Sequence, residues 1–518
     1  MANSISERNG VAIRQANIIT MNPSQPRVQA LAVRDGRIAA VGAWEEVAPY
    51  AEGLLALDLD GKTVLPGFID THTHFLWTAL SLAALDTSPA WDHDALQAII
   101  RQAITAVSPG ELVFGMGFSE YALDTEKFTP ILDALDAVAP DNPVFLVGIT
   151  GHVAAANSRA LELLVLPDDT PGVKRDSRGH PTGLLADQAN NLAWEQFSAS
   201  FGATEKAAGL VSLAVDKALS VGLTTVHALE GSLGGEDRSV ADLLAAIPGL
   251  PLRFVLYYQT MDVDRVVALG LPRIGGCILL DGDFDPRTAA LSEPYVDDPN
   301  CNGTLYHTQE EIDAFVLAAH RAGLQVAMHA VGDAAVEQAL NAYEAALAVH
   351  PRHDHRHRIE HCEVIREEQI QRAQRLGVAL AIQPPFNYYW PHTGYYSSLG
   401  EERAWRVDPV RTLVRPGLLV AGGSDSTVTP LGPLLGVYAA VNHSNPSERI
   451  GVQEAMELYT SNAARIAFEE HDKGSLEVGK LGDLVVLAED PFRVIPDLIK
   501  DIDIEMTIIG GVIAYQKA

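Results

Sequence analysis

Only three cysteines, Cys277, Cys301 and Cys362, occur in 518 residues, and their spacing is irregular. A disulfide framework is not expected, and a reducing, cytoplasmic setting is. Long apolar runs are also missing. Stretches such as GLLVAGG fall far short of the ~20 residues a membrane helix requires. The opening MANSISERNG has no basic segment followed by an apolar one, so no secretory signal is read. Positive charge is scarce: 37 Lys and Arg face 67 Asp and Glu, a formal net charge of −30. Nucleic acid and anionic membrane are poor partners for such a chain, because both need clustered cations. A small-molecule substrate is the partner class left. No internal repeat or low-complexity linker is visible, and no motif encodes an oligomeric state, although a homodimer would not be unexpected.

What is present is an ordinary globular composition, 47% hydrophobic and 20% charged, long enough for roughly two to four domains or one large barrel with additions. Residues 11–66 read as short alternating strands separated by turn signals. The tail, GDLVVLAED and MTIIGGVIAYQ, reads the same way, its GG suiting a tight hairpin. These ends, 1–66 and 467–518, are expected to pair into a small composite β-sandwich. Between them, strand-length apolar runs alternate with helical stretches: GFIDTHTH, LTTVHAL, LRFVLYY, GGCILLDG, LQVAMHA, HRIEHCE, GVALAIQP and GLLVAGGSD. Eight such strands predict an α/β fold, a (β/α)8 TIM-type barrel over 67–466, with an insertion at about 86–205.

Strand ends carry the chemistry. His72 and His74 in IDTHTHF are two residues apart, so in a strand both face one side. His329 ends the fifth strand, His361 the sixth and Asp425 the eighth. Catalytic groups of such barrels collect at the C-terminal ends of strands. Four imidazoles and a carboxylate at matching heights suit a divalent metal, zinc before iron, manganese or nickel. Any one of these histidines alone would be read as a satisfied polar residue; together they read as a metal site.

The motifs PGFIDTHTHF, HAVGD, RIEHCE, GGSDS and GSLEVGKLGDLVVL resemble the amidohydrolase superfamily. GHVAAANSRAL, DGDFDPRTAALSEPY and VAMHAVGDAAV are similar to its YtcJ-like, amidohydrolase-3 branch, and the resemblance covers nearly the whole chain. It implies that His72, His74 and Asp425 hold a first metal ion, that Asp425 also moves the proton, and that His329 and His361 bind or flank a second. The expected activity is metal-dependent hydrolysis of a carbon–nitrogen bond, an amide or N-acyl amine, by water activated at one or two zinc ions. His361 or His329 would otherwise stabilise the oxyanion. Ester or lactone hydrolysis, deamination or decarboxylation on the same site is the alternative, as is a catalytically degenerate binding protein.

The chain departs from the pattern where relatives carry a bridging carboxylated lysine at the end of the fourth strand, for here stands Cys277 in CILLDG. One reading is a small buried residue packed beside the ligands; the other is a thiolate ligand. Because a cysteine side chain is several bonds shorter, it would bridge two ions only if its backbone came closer. The packing role and a site dominated by one ion are therefore expected. GMGFSE and DGDFDPRTA also differ from the pattern, so the branch's substrates do not carry over. For substrate contact the candidates are His152, Trp77, His227 and Arg287, whose fork suits a carboxylate but equally a structural ion pair in its acidic loop. PPFNYYW offers further aromatic walls. The histidine-rich HPRHDHRHR is expected to be a solvated loop rather than a ligand set.

Overall fold

In the computed structural model the described residues are 10–118, 131–148, 151, 153–167, 170–201, 204–231, 238–284, 286–415 and 417–518. Eight strands pair in parallel and in chain order: β1 (Phe68–Thr73), β2 (Leu223–Glu230), β3 (Arg253–Tyr258), β4 (Arg273–Leu279), β5 (Gln325–Ala330), β6 (Arg358–His361), β7 (Ala379–Ile382) and β8 (Val420–Gly422). Every residue of β2 and of β5 is buried. That is why these segments read as near-continuous apolar runs, since a parallel sheet is covered on both faces.

The sheet closes at the β1–β8 seam through a parallel bridge between Thr73 and Ser426. The amide of Asp425 donates to the His72 carbonyl at 2.8 Å and that of His74 to the Ser426 carbonyl at 3.0 Å. Asp70 pins the two strand ends together, its Oδ1 accepting from the amides of His72 (3.1 Å) and Ser424 (3.0 Å). Gly423 lies so close to β1 that a Cβ there would stand 2.6 Å from the His72 nitrogen. Connecting helices follow local signals. Gln309–Arg321 begins at Thr308, whose hydroxyl and the Glu311 carboxylate form a capping box, satisfying amides the first turn leaves unpaired. Glu367–Leu376 ends at Gly377 with φ of 73°, the left-handed stop that glycine adopts without penalty.

The terminal segments form two further sheets. One joins Arg37–Gly42, Ala30–Arg34, Gly10–Arg14 and Leu55–Asp58; the other joins Val512–Gln516, Ile504–Ile509, Leu484–Leu487, Thr63–Pro66, Asn17–Ile19 and Arg27–Val28. The N- and C-terminal chains meet where Thr63–Pro66 runs antiparallel to Leu484–Leu487. Val11, Leu31, Val33, Val64, Val486 and Ile508 from both sheets share one apolar core. Residues Leu76–Ala214 are a separate compact unit with its own six-stranded sheet and a core that includes Ile100, Val144 and Leu146. Among the described residues no helix is long and apolar enough to cross a membrane.

Gly423→Ala should force β8 away from β1. The expected loss is about 1–3 kcal/mol, the usual cost of overpacking, read as a lower denaturant midpoint for the barrel transition.

Candidate metal centre

The closed seam brings three side chains to one point. His72 Nε2 and His74 Nε2 lie 3.3 and 3.2 Å from Asp425 Oδ1. Beside them, Cys277 Sγ from β4 stands 3.6 Å from His72 Nε2, and the rings of His72 and His361 are 4.9 Å apart. Two donor groups result, His72–His74–Asp425 and His72–Cys277–His361, each with ligand atoms within 4.8 Å of one another. They share His72.

Two buried atoms here make no hydrogen bond, His361 Nε2 and Asp425 Oδ1. An unmade hydrogen bond at a buried polar atom costs free energy unless something else occupies it. His361 Nδ1 donates to Gln383 Oε1 at 2.8 Å, so the neutral ring presents a lone pair at Nε2. Imidazole, carboxylate and thiolate donors of this kind fit a divalent transition ion.

The electrostatics agree. Burial alone would raise the Asp425 carboxyl, yet His72 and His74 hold it well below the usual range. Burial opposes a proton on His72, but Asp425 and Cys277 raise that imidazole well above normal. Burial likewise opposes the His74 proton, while Cys277 and Asp425 push it up to about 10. His361 is lowered, by burial and then by the charge on His329, which keeps it in the neutral form a ligand needs. The buried Asp425 carboxylate and Cys277 thus favour the protonated form of the two imidazoles beside them.

Beneath the donors lies a buried polar layer. His72 Nδ1 donates to Glu360 Oε2 at 2.8 Å, turning Nε2 toward the centre. Arg358 grips the same carboxylate through Nε and through Nη2, the latter at 2.6 Å, and also donates to the Thr71 carbonyl at 2.6 Å. Its guanidinium lies over the Tyr257 ring at 4.4 Å and donates to His227 Nδ1 at 3.1 Å. Burial works against the Glu360 carboxylate, but Arg358 outweighs it and the group stays lowered. Sequence reasoning passed over Glu360, Arg358 and Asp70. The first two share a strand face by their two-residue spacing inside RIEHCE, and that periodicity was the available signal.

The remaining candidates are distributed as follows. His329 packs its ring 4.5 Å from that of His361, but its Nε2 lies 3.4 Å from the Gly282 carbonyl and 3.5 Å from Asp281, and it joins neither donor group. His227 is fully buried; burial and Arg358 lower it well below normal. Arg287 forms its fork with Asp297 and lies over Tyr295, the structural alternative for that residue. Trp77 belongs to the Leu76–Ala214 unit, its ring 4.9 Å from Trp194. His152 lies outside the described residues. In the histidine-rich tract His355 and His357 are buried, not solvated. The His357 ring accepts from the Val326 amide through Nδ1, so its Nε2 donates to His320 Nδ1 at 2.7 Å. His355 donates to the Leu376 carbonyl. Satisfied in this way, these rings are structural.

A closed parallel barrel with imidazole and carboxylate donors gathered at its strand ends defines a class of enzyme built around an ion. The model of the amidohydrolase family matches residues 56–515, and the chain belongs to that family. It is 32% identical to YtcJ of Bacillus subtilis, an amidohydrolase by name, over 97% of this chain and 98% of the relative. To the N-substituted formamide deformylase of Arthrobacter pascens it is 28% identical over 99% of both chains. Among solved structures, an uncharacterized metal-dependent hydrolase from Pyrococcus furiosus superposes with a TM-score of 0.77 at 28% identity, covering 93% of this chain and 100% of that one.

Glu360→Gln should weaken metal retention by about 10–100-fold, the usual effect of losing a partner that orients a ligating histidine. It should also destabilise the fold by about 3–5 kcal/mol, because Arg358 is left buried without its counter-charge. In Arg358→Met/Glu360→Gln the melting temperature should recover while metal affinity, measured by chelator competition, stays low.

Proposed function

We propose that the chain hydrolyses the carbon–nitrogen bond of a small amide or N-acyl amine, using zinc or a similar divalent ion held by His72, His74 and Asp425. The convergence of two imidazoles on one buried carboxylate oxygen carries this reading. Membership of the amidohydrolase family and full-length similarity to a formamide deformylase support it. N-substituted formamides are therefore the first substrates to assay.

When bound, the ion supplies Lewis acidity and makes water acidic enough to ionise near neutral pH. The chain's own residues do the rest. Asp425, held as the ionised carboxylate by its two histidines, accepts the proton of the attacking water and delivers it to the amine nitrogen as the C–N bond breaks. His72 is kept in one orientation by Glu360 and His361 by Gln383, so neither has to reorganise during the reaction. With its Nδ1–H committed to Gln383, His361 acts here through its Nε2 lone pair rather than as an oxyanion donor.

Asp425→Asn should keep the fold and lower kcat by about 10²–10⁴-fold, the range for a lost proton-transfer group. Steady-state assay on formamide and N-acyl substrates, before and after chelation and metal restoration, measures this. An unchanged rate would remove Asp425 from the chemistry. A second expectation concerns pH. His74 holds its proton up to about pH 10 in the ion-free protein, and a cation occupying Nε2 must expel it. Apparent metal affinity should therefore rise with pH, with proton release seen calorimetrically at about pH 6.5 and about pH 8.5 in buffers of different ionisation enthalpy.

A further inference from the structure

The sulfur of Cys277 stands beside the His72 ring, at a point where the backbone of β4 departs from regular pairing. Gly275 faces Ala327 of β5 and Leu279 faces His329, so β4 takes four residues where β5 takes two. Gly275 and Gly276 make this bulge at φ of 88° and 97°, a region that only glycine enters readily. Substitution is also closed sterically, since a Cβ on Gly275 would lie 2.1 Å from the Ala327 carbonyl oxygen and one on Gly276 2.8 Å from Leu229 Cγ. Cys277 lies within the bulge, directly after the two glycines, and its Sγ is 3.6 Å from His72 Nε2.

A second feature, independent of the cysteine, points to the same place. His361 is only 4% exposed, and its Nε2 lone pair has no hydrogen-bond partner. Its ligand atom lies within 4.8 Å of those of Cys277 and His72. We propose that Cys277 is an inner-sphere thiolate ligand of the metal centre, acting with His361 beside the His72–His74–Asp425 group, with which these two share His72. Thiolate donation favours zinc or cobalt over magnesium, calcium or manganese. The proposal rests on the metal-centre reading above.

Cobalt(II) substitution of the full-length protein tests it without reference to turnover. The loaded wild type should show a near-ultraviolet thiolate-to-cobalt charge-transfer band in addition to the visible ligand-field bands. Cys277→Ser and Cys277→Ala should lose the near-ultraviolet band, keep ligand-field absorption and release cobalt to a chelator at least tenfold more readily, roughly the change produced by disturbing a metal site. Cys301→Ala, whose sulfur lies against the Arg287 carbonyl instead, should keep the band. Ligand-field absorption in the wild type with no charge-transfer band would overturn thiolate ligation and leave the metal centre standing. Persistence of the band in both Cys277 variants would also overturn it. Failure of the wild type to take up cobalt or zinc at all would overturn the centre itself. The wild-type spectrum decides even if a variant does not fold.

Discussion

The candidate metal centre is built across the seam where the barrel closes. Asp425 and His72 are joined through the backbone, and their side chains stand 3.3 Å apart. Asp70 holds the same two strand ends by accepting from an amide on each. The donors are therefore positioned by the hydrogen bonds that complete the sheet, not by a mobile loop. Gly423 allows the approach, because any larger residue would meet the His72 nitrogen. Closure and the convergence of these side chains are one event: a barrel that does not close leaves the three candidate donors without a common point.

The layer beneath the donors shows how charge is tolerated there. Burying a carboxylate costs several kcal/mol unless it is paired and hydrogen-bonded. Glu360 is both, with a guanidinium on one side and His72 on the other. Arg358 is in turn satisfied by Thr71, His227 and the face of Tyr257. An apolar replacement for this network would be no less stable by that reasoning. Its effect is orientation: it fixes which nitrogen of His72 faces the candidate centre, and a core of aliphatic side chains has no means of doing that.

Much of this was legible in advance. Parallel strands buried on both faces leave long apolar runs, and all eight were visible as such; strand-end donors follow from period-two spacing and the rule that barrels place chemistry at C-terminal ends. What escaped notice depended on departures from regularity. GGC in GGCILLDG looked like strand interior, but paired glycines at positive φ fold out a bulge, and so the reach of Cys277 could not be judged from side-chain length. Glu360 and Arg358 were hidden because charged residues inside an apolar strand acquire meaning only when the partners across the barrel are known. HPRHDHRHR misled in the opposite sense. Its polarity suggested solvent, whereas His320, His355 and His357 bury one another in a chain of hydrogen bonds that uses up their nitrogens.

Local backbone strain completes the link between fold and chemistry. His361, Cys362 and Asp425 have φ of 72°, 56° and 53°, a region costing about 1–3 kcal/mol for such residues. Strain of that size persists only where surrounding bonds over-determine the conformation. The Cys362 amide, held by the carbonyls of Ala330 and Glu360, and the Asp425 amide, held by His72, do so here. His361 closes β6 and Asp425 follows β8, so in both places the backbone leaves the regular extended conformation where a candidate donor stands. Regular extension would relieve the strain and carry His361 and Asp425 away from the donors they now face. An occupied centre stabilises the native state in proportion to how well it binds the ion. Ion binding at the proposed centre and retention of these turns would therefore favour each other.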